Sequence, residues 1–373
     1  MAEPLSTLPD DNRVARALLL LAVLTVLVTL GCRQNPSQAT GAALRVAGET
    51  MGTTYHLTLV DARADGAAVK RAVDSLLAAI NAEVNTYDPR SLISRYNAGE
   101  SLRARAGEPA YGAHLLANLR LAREVHHVSK GAFDPSVGPL VEYYGFGAGL
   151  RDSAAVDERV VDSLLKFVGF DLLADSLVGT ERWLLERPGD AGFRLDLSAV
   201  AKGYAVDEVS ALLAARFGSA DHLVEIGGET VVRGLSPRGT PWRTGVNTPR
   251  ADASTRDVEL VVELSEAGLA TSGNYRNART RGGERYVHTV DPRTGAARAS
   301  RLLSATVVAG RCAVADAYAT ACMVSGERAR EVLAKAQLDG CLIFAAGGGT
   351  FDIEYVGDFE RYVQARRPQD RPQ

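Results

Sequence analysis

The sequence predicts an α+β fold built on a mixed, largely antiparallel sheet with packed helices. Helical and strand-like stretches alternate irregularly instead of in a βαβ order, and several apolar segments pair like hairpins. No fixed-period repeat and no low-complexity linker divides the chain after its first forty or so residues, so residues 42–365 are expected to form one large unit. The 373 residues are 46% hydrophobic and 23% charged, which supports a sizeable core and excludes extended disorder. A formal net charge of −3 offers no electrostatic footprint for nucleic acid, and none is expected as a partner.

In chain order, the first element is an address and not a part of the fold. Residues 17–30 form a fourteen-residue apolar run interrupted only by Thr25 and Thr29, with Arg13 and Arg16 before it and Gly31-Cys32 after it. A spanning helix needs about 20 apolar residues, so the run matches the core of a signal peptide. Its Gly-Cys ending resembles the bacterial lipobox, whose Cys is lipid-modified and becomes the first mature residue, although Thr29 stands where Leu is usual. The expectation is a signal peptide at 1–31, lipidation at Cys32 and a polar tether over 32–41. Ordinary secretion and a retained N-terminal anchor stay open. Residues 366–373 are expected to form a flexible tail.

Residues 55–60 (YHLTLV) alternate as a strand does. Val73, Leu76, Leu77 and Ile80 have helical spacing within 69–84, Val161, Leu164, Leu165 and Val168 within 156–168, and Val206, Val209 and Leu213 within 201–216. Residues 223–226, 258–264, 286–290 and 305–308 carry strand patterns. Near the end CLIFAA, three glycines and TFDIEYV predict a hairpin. Cys312, Cys322 and Cys341 form neither a CxxC pair nor zinc-ligand spacing, and are expected to be apolar core residues.

Three segments carry chemistry. In DLSAVAKGYAVD a strand end runs into a helix start, with Asp196 and Ser198 as cap candidates and Lys202 beside free N–H groups that can face a phosphate. In AVADAYATA, Asp316 and Thr320 are four apart and share a helix face, offering two hard oxygens of the kind Mg²⁺ takes. In RYVHTVDPRTG, His288 is expected on a strand beside an Asp-Pro-x-Thr-Gly turn, where imidazole suits removal of a proton from a hydroxyl. Taken singly, these segments are better explained by a capped helix with a solvated Lys, an Asp–Thr hydrogen bond and a structural His. Glycine-rich pieces at 51–55, 227–229 and 270–275 permit close backbone approach, but there is no Walker loop, no dinucleotide fingerprint and no hydrolase nucleophile elbow.

Together and in order, ETMGTTYHLTL, NTYDPRSLISRYN, GAFDPSVGPLVEYYGFG, LDLSAVAKGYAVD, VEIGGE, GLATSGNY, YVHTVDPRTG and TVVAGRCAVADAYATACMVSG resemble the FAD:protein FMN transferase (ApbE) family over residues 49–326. The resemblance implies an ApbE-like, T-fold-like catalytic unit, in a lipoprotein form common in the family. It implies FAD as substrate, contacted by Met51, Tyr87, Ala132, Phe133, Asp134, Asp196, Lys202 and Val290. It implies Mg²⁺ on Asp316, Thr320 and the backbone carbonyl of Ala199, and His288 as the base acting on a target Thr or Ser. FMN would become phosphoester-linked to an exported or membrane-bound redox protein, and AMP would leave. The chain would work outside the cytoplasm, held to a bacterial membrane by its lipid. Two positions depart from the pattern: Leu92 where Glu is frequent, and Ser136 where Thr is usual. An FAD pyrophosphatase giving FMN and AMP, and a non-catalytic flavin-binding lipoprotein, remain as alternatives.

Overall fold

The computed structural model describes residues 42–366 apart from 62, 104–107, 109–110, 148–153, 174–182, 186–191, 255 and 276. The segments expected to be a signal peptide (1–31) and a lipidated Cys32 with its tether (32–41), and all but the first residue of the expected tail, lie outside the described residues. The described residues belong to one contact-defined unit, Gly41–Gln373.

The chain opens with the strands β1 (Ala43–Thr50) and β2 (Thr53–Val60), joined by a turn in which Met51 and Gly52 both have positive φ, 50° and 72°. Helix α1 (Gly66–Val84) follows, capped by the Asp65 carboxylate, which accepts from Ala67 N and Ala68 N. Next come α2 (Leu92–Asn97), the short β3 (Leu102–Arg103), α3 (Ala113–Ser129), α4 (Gly138–Tyr143), α5 (Glu158–Leu165) and β4 (Trp183–Leu185). The second half holds α6 (Ala201–Phe217), β5 (His222–Ile226), β6 (Glu229–Arg233), β7 (Trp242–Asn247), β8 (Val258–Leu264), β9 (Ala267–Gly273), β10 (Ala278–Arg281) and β11 (Glu284–Val287). It ends with β12 (Leu302–Ala309), α7 (Cys312–Ser325), α8 (Ala329–Ala336), β13 (Asp339–Gly347), β14 (Thr350–Val356) and β15 (Val363–Arg366).

Eight strands form one sheet in the order β1-β2-β5-β6-β9-β12-β13-β14, and every neighbouring pair in it is antiparallel. The predicted fold class is therefore the observed one. The helices cover one face. Val73, Leu77 and Ile80 of α1, Val206, Val209 and Leu213 of α6 and most of α7 join Leu57, Val224, Val307 and Leu342 of the sheet in the main core. The other face packs on a small sheet, β15-β8-β7, through Val232, Val308, Cys341 and Ile343 against Trp242, Leu260, Val262 and Leu264. Burial on both faces explains why β12 and β13 are near-continuous apolar runs. Cys312, Cys322 and Cys341 are buried free thiols, as expected.

Two local expectations need correction. Strand β11 ends at Val287, so His288 stands just beyond a strand end and not on one. Helix α5 covers only 158–165 of the expected 156–168, because the Asp157 side chain caps it by accepting from Arg159 N and the chain after Leu165 tightens into turns, Phe167 N to Leu164 O and Val168 N to Leu165 O. The Leu92 departure is absorbed by packing. Leu92 is buried in the main core, while Ser91 caps α2 by accepting from Ser94 N.

Helix α7 is buried on nearly all sides, and small residues let its neighbours come close. At Gly203 a Cβ would sit 2.6 Å from Cys312 O and 2.8 Å from Ala313 Cα, so only glycine allows α6 to approach the start of α7 this closely. Gly203→Ala is expected to lower the unfolding free energy by about 1–3 kcal/mol, whereas Gly310→Ala, whose Cβ would meet nothing within 4 Å, should stay within about 0.5 kcal/mol of wild type. Urea titration of the two variants checks this; equal midpoints would remove close helix approach as the reason for Gly203.

Candidate active site

The site starts where α6 meets α7. Neither helix is capped by a side chain at its own N-cap, Val200 or Arg311. Each is capped by the other. The Asp207 carboxylate on α6 accepts from Cys312 N (2.8 Å) and Ala313 N (3.0 Å) at the start of α7. In return Asp316 on α7 accepts from Gly203 N (3.0 Å) in the first turn of α6. Asp196 and Ser198 are thus not the helix cap that the sequence suggested. Asp196 Oδ1 accepts from Ser198 N at 2.8 Å, closing a turn before the helix.

Gly203 N is one of the helix-start N–H groups with no acceptor inside α6, and Asp316 supplies one, while the first helical bond runs from Tyr204 N to Val200 O. Ala199, Asp316 and Thr320 line one cavity of about 330 Å³. The Thr320 hydroxyl lies 3.2 Å from Ser272 Oγ. Carbonyl, carboxylate and hydroxyl are all hard oxygen donors, so the set fits Mg²⁺ in kind. Among the described residues no group of three His, Cys, Asp or Glu side chains could hold a metal ion, so a cation here would lean on these oxygens, water and substrate.

Lys202 is the second residue of α6. Its ammonium donates to Glu229 Oε1 at 2.7 Å. Burial works against its charge, but Asp316 and then Glu229 outweigh burial and hold its pKa above the ordinary lysine value. Burial pushes the Glu229 carboxyl up; Lys202 opposes this and Asp316 adds to it. Glu229 Oε2 is buried with no hydrogen-bond partner among the described residues.

His288 enters the same cavity from the β10–β11 hairpin, held by its backbone N–H donating to Asn277 O at 3.2 Å. Its Nδ1 is buried and has no hydrogen-bond partner among the described residues. Burial lowers its pKa, and the Lys202 charge lowers it further, so the imidazole is neutral at pH 7.

The cavity collects Ala132, Phe133, Asp134, Asp196, Ala199, Lys202, His288, Val290, Asp316 and Thr320, from segments that the chain keeps far apart. Asp134 is turned inward. Its carboxylate accepts from Ser136 N (2.8 Å), Ser136 Oγ (2.5 Å) and Phe170 N (3.0 Å), and Ser136 Oγ accepts from Gly169 N (2.7 Å). The Ser at 136 therefore keeps the hydroxyl that this network needs. Met51 and Tyr87 lie outside the main cavity. They line an adjoining one of about 550 Å³, which also includes Ser198 and Lys202. Tyr87 is 65% exposed, and its hydroxyl donates to Phe146 O at 3.2 Å. Sequence reasoning gave no role to Asp207, Glu229 or Ser272. All three stood inside quoted motifs, but only long-range pairing reveals what they bind.

The chain matches the ApbE family over residues 51–343. It is 32% identical to the FAD:protein FMN transferase of Vibrio cholerae over 320 residues, 85% of this chain and 90% of that one. It is 31% identical to the enzyme of the same name from Escherichia coli over 85% of this chain and 90% of that one. Among solved structures it is similar to the flavin transferase ApbE from Vibrio cholerae, with TM-score 0.73 and 30% identity over 86% of this chain and 99% of that one. The apo flavinyl transferase ApbE of Pseudomonas stutzeri matches with TM-score 0.70 and 26% identity over 87% of this chain and 98% of that one. On these matches the chain belongs to the ApbE family of flavin transferases, as its ordered motifs led us to expect.

Proposed function

We propose that this chain transfers FMN from FAD to a Thr or Ser hydroxyl of a target protein, forming a phosphoester and releasing AMP. One observation carries the reading. Lys202 and Ser198 line both the main cavity and its neighbour, so a cation and a helix start sit where two cavities adjoin. A dinucleotide has that shape, with two bulky halves joined by a charged pyrophosphate. Exposed Tyr87 and the turn residue Met51 belong to one half of the cleft, and Ala132, Phe133 and Val290 to the other.

Two carboxylates and one ammonium leave no surplus positive charge to meet a pyrophosphate. Ala199 O, Asp316 and Thr320 would hold Mg²⁺, which supplies charge neutralisation at the phosphates when bound. Neutral His288 takes the proton of the acceptor hydroxyl. That oxygen attacks the phosphorus of the FMN half, and the bond to the AMP phosphate breaks. Lys202 keeps a positive charge beside the leaving phosphate throughout. We also assign residues 1–31 as a signal peptide, Cys32 as a lipid anchor and 42–365 as the transferase domain. This places the reaction outside the cytoplasm, on exported or membrane-bound redox proteins.

The direct test incubates the chain lacking residues 1–32 with FAD, Mg²⁺ and a candidate acceptor, and looks for flavin fluorescence on the acceptor after denaturing electrophoresis. AMP release with no labelled acceptor of any kind would leave hydrolysis as the activity. Asp316→Ala should abolish Mg²⁺-dependent labelling; normal labelling by this variant would refute the metal assignment.

His288→Ala should lower kcat by about 10²–10⁴-fold while FAD still binds. Because the folded pKa of His288 lies below the ordinary 6.5, the acid limb of kcat/KM in wild type should fall below pH 6.5 and vanish in the variant. A wild-type limb centred above 6.5 contradicts the assignment. Cys32→Ser should move the full chain from the membrane to the soluble exported fraction, and an unchanged membrane fraction would argue against the lipid anchor.

A further inference from the structure

Glu229 is a buried carboxylate to which the reaction above gives no task. It opens β6 after the Gly227-Gly228 turn, is 5% exposed and lines the main cavity with Asp316 and Lys202. A carboxylate kept only for the fold would have both oxygens satisfied, because a buried unpaired acceptor is costly. Here Oε1 takes the Lys202 ammonium at 2.7 Å and Oε2 has no partner among the described residues.

Lys202 has a four-carbon stem and borders two cavities, so its backbone anchor in α6 does not by itself fix where its charge lies. Its hydrogen bond to Glu229 does. That bond uses one of three ammonium donors and leaves two for phosphate oxygens. We infer that Glu229 is a positioning residue of the nucleotide site: it draws the Lys202 ammonium to the side of the cavity shared by Asp316, and so sets where the pyrophosphate of a bound flavin dinucleotide is held. The inference rests on the reading of this cleft as the FAD site. Glu229 acts through Lys202 and takes no part in bond making.

A double-mutant cycle tests it, with FAD affinity read by flavin fluorescence quenching in the absence of turnover. Wild type, Glu229→Ala, Lys202→Met and the double variant are compared, and their thermal midpoints are recorded. Glu229→Ala should weaken FAD about tenfold in the wild-type background and less than about twofold in the Lys202→Met background. Its thermal midpoint should fall, because the change leaves the Lys202 ammonium without this partner, so FAD affinity is read well below that midpoint. Glu229→Gln keeps an acceptor for Lys202 and should restore most of the affinity. It also carries the cycle if the alanine variant does not fold. Equal losses in both backgrounds, or unchanged FAD affinity in Glu229→Ala, would overturn the inference while leaving the FAD site intact. Wild-type protein that binds no FAD would overturn the site reading itself, and this inference with it.

Discussion

The arrangement on which the site depends is the exchange of caps between α6 and α7. Helix starts carry unpaired N–H groups that must find acceptors when buried. Here the acceptors are Asp207 and Asp316, each borne by the opposite helix. The pairing needs the helix starts to be close, and Gly203 allows it. Two features of the site follow. Asp316 is fixed at one oxygen, Oδ2, so its orientation is set. Lys202, next to Gly203, is carried to the edge of the cavity at the start of a helix, where the dipole favours an anion.

Unsatisfied polar atoms gather around this point. A folded protein pairs nearly all its buried donors and acceptors, and exceptions call for a reason. Glu229 Oε2 and His288 Nδ1 are buried without partners on side chains that line the same cavity. Arg279 Nε is a third such atom; its guanidinium lies 5.4 Å from the Phe146 ring, whose edge meets His288 at 6.3 Å. At the other end of the cleft Met51 holds a left-handed backbone conformation, φ 50°, that a side-chain-bearing residue rarely adopts. Three of the five buried unpartnered side-chain atoms among the described residues thus lie at or beside the cleft, while the other two, Asn118 Oδ1 and Ser304 Oγ, belong to residues that do not line it.

Much of this was legible in the sequence where the signal is local. The four-residue spacing of Asp316 and Thr320 places both on one face of a helix, and that helix exists over Cys312–Ser325. The alternation in 55–60 and the glycines between CLIFAA and TFDIEYV mark β2 and the β13–β14 hairpin. What stayed hidden is non-local. Asp196 and Ser198 look like a helix cap because short polar side chains before an apolar run usually are, and nothing nearby reveals that the cap comes from 113 residues away. Glu229 sits beside two glycines as any turn residue might; only the pairing of β5 with β6 and the packing of α6 bring it to Lys202. The second small sheet was legible only in part, since β8 matches its pattern but β7 and β15 are short and half exposed.

In the reaction proposed here, hydrolysis and transfer differ only in which hydroxyl reaches His288. The choice therefore lies in the walls beside that imidazole and not in the cation site. Those walls are tied down. Arg281 in β10 lies 4.9 Å from the Tyr143 ring and donates to Tyr143 O and Ala154 O, and Arg279 on the same strand face packs over Phe146. Tyr144 donates to Gly295 O in the turn after His288 and packs on Tyr286 just before it. The segment 143–146 and the β10–β11 hairpin are thus joined by side-chain contacts, with His288 beside their junction. In that proposed reaction an acceptor chain laid along this rim would favour transfer over hydrolysis, because its backbone would fix the hydroxyl before the proton is taken.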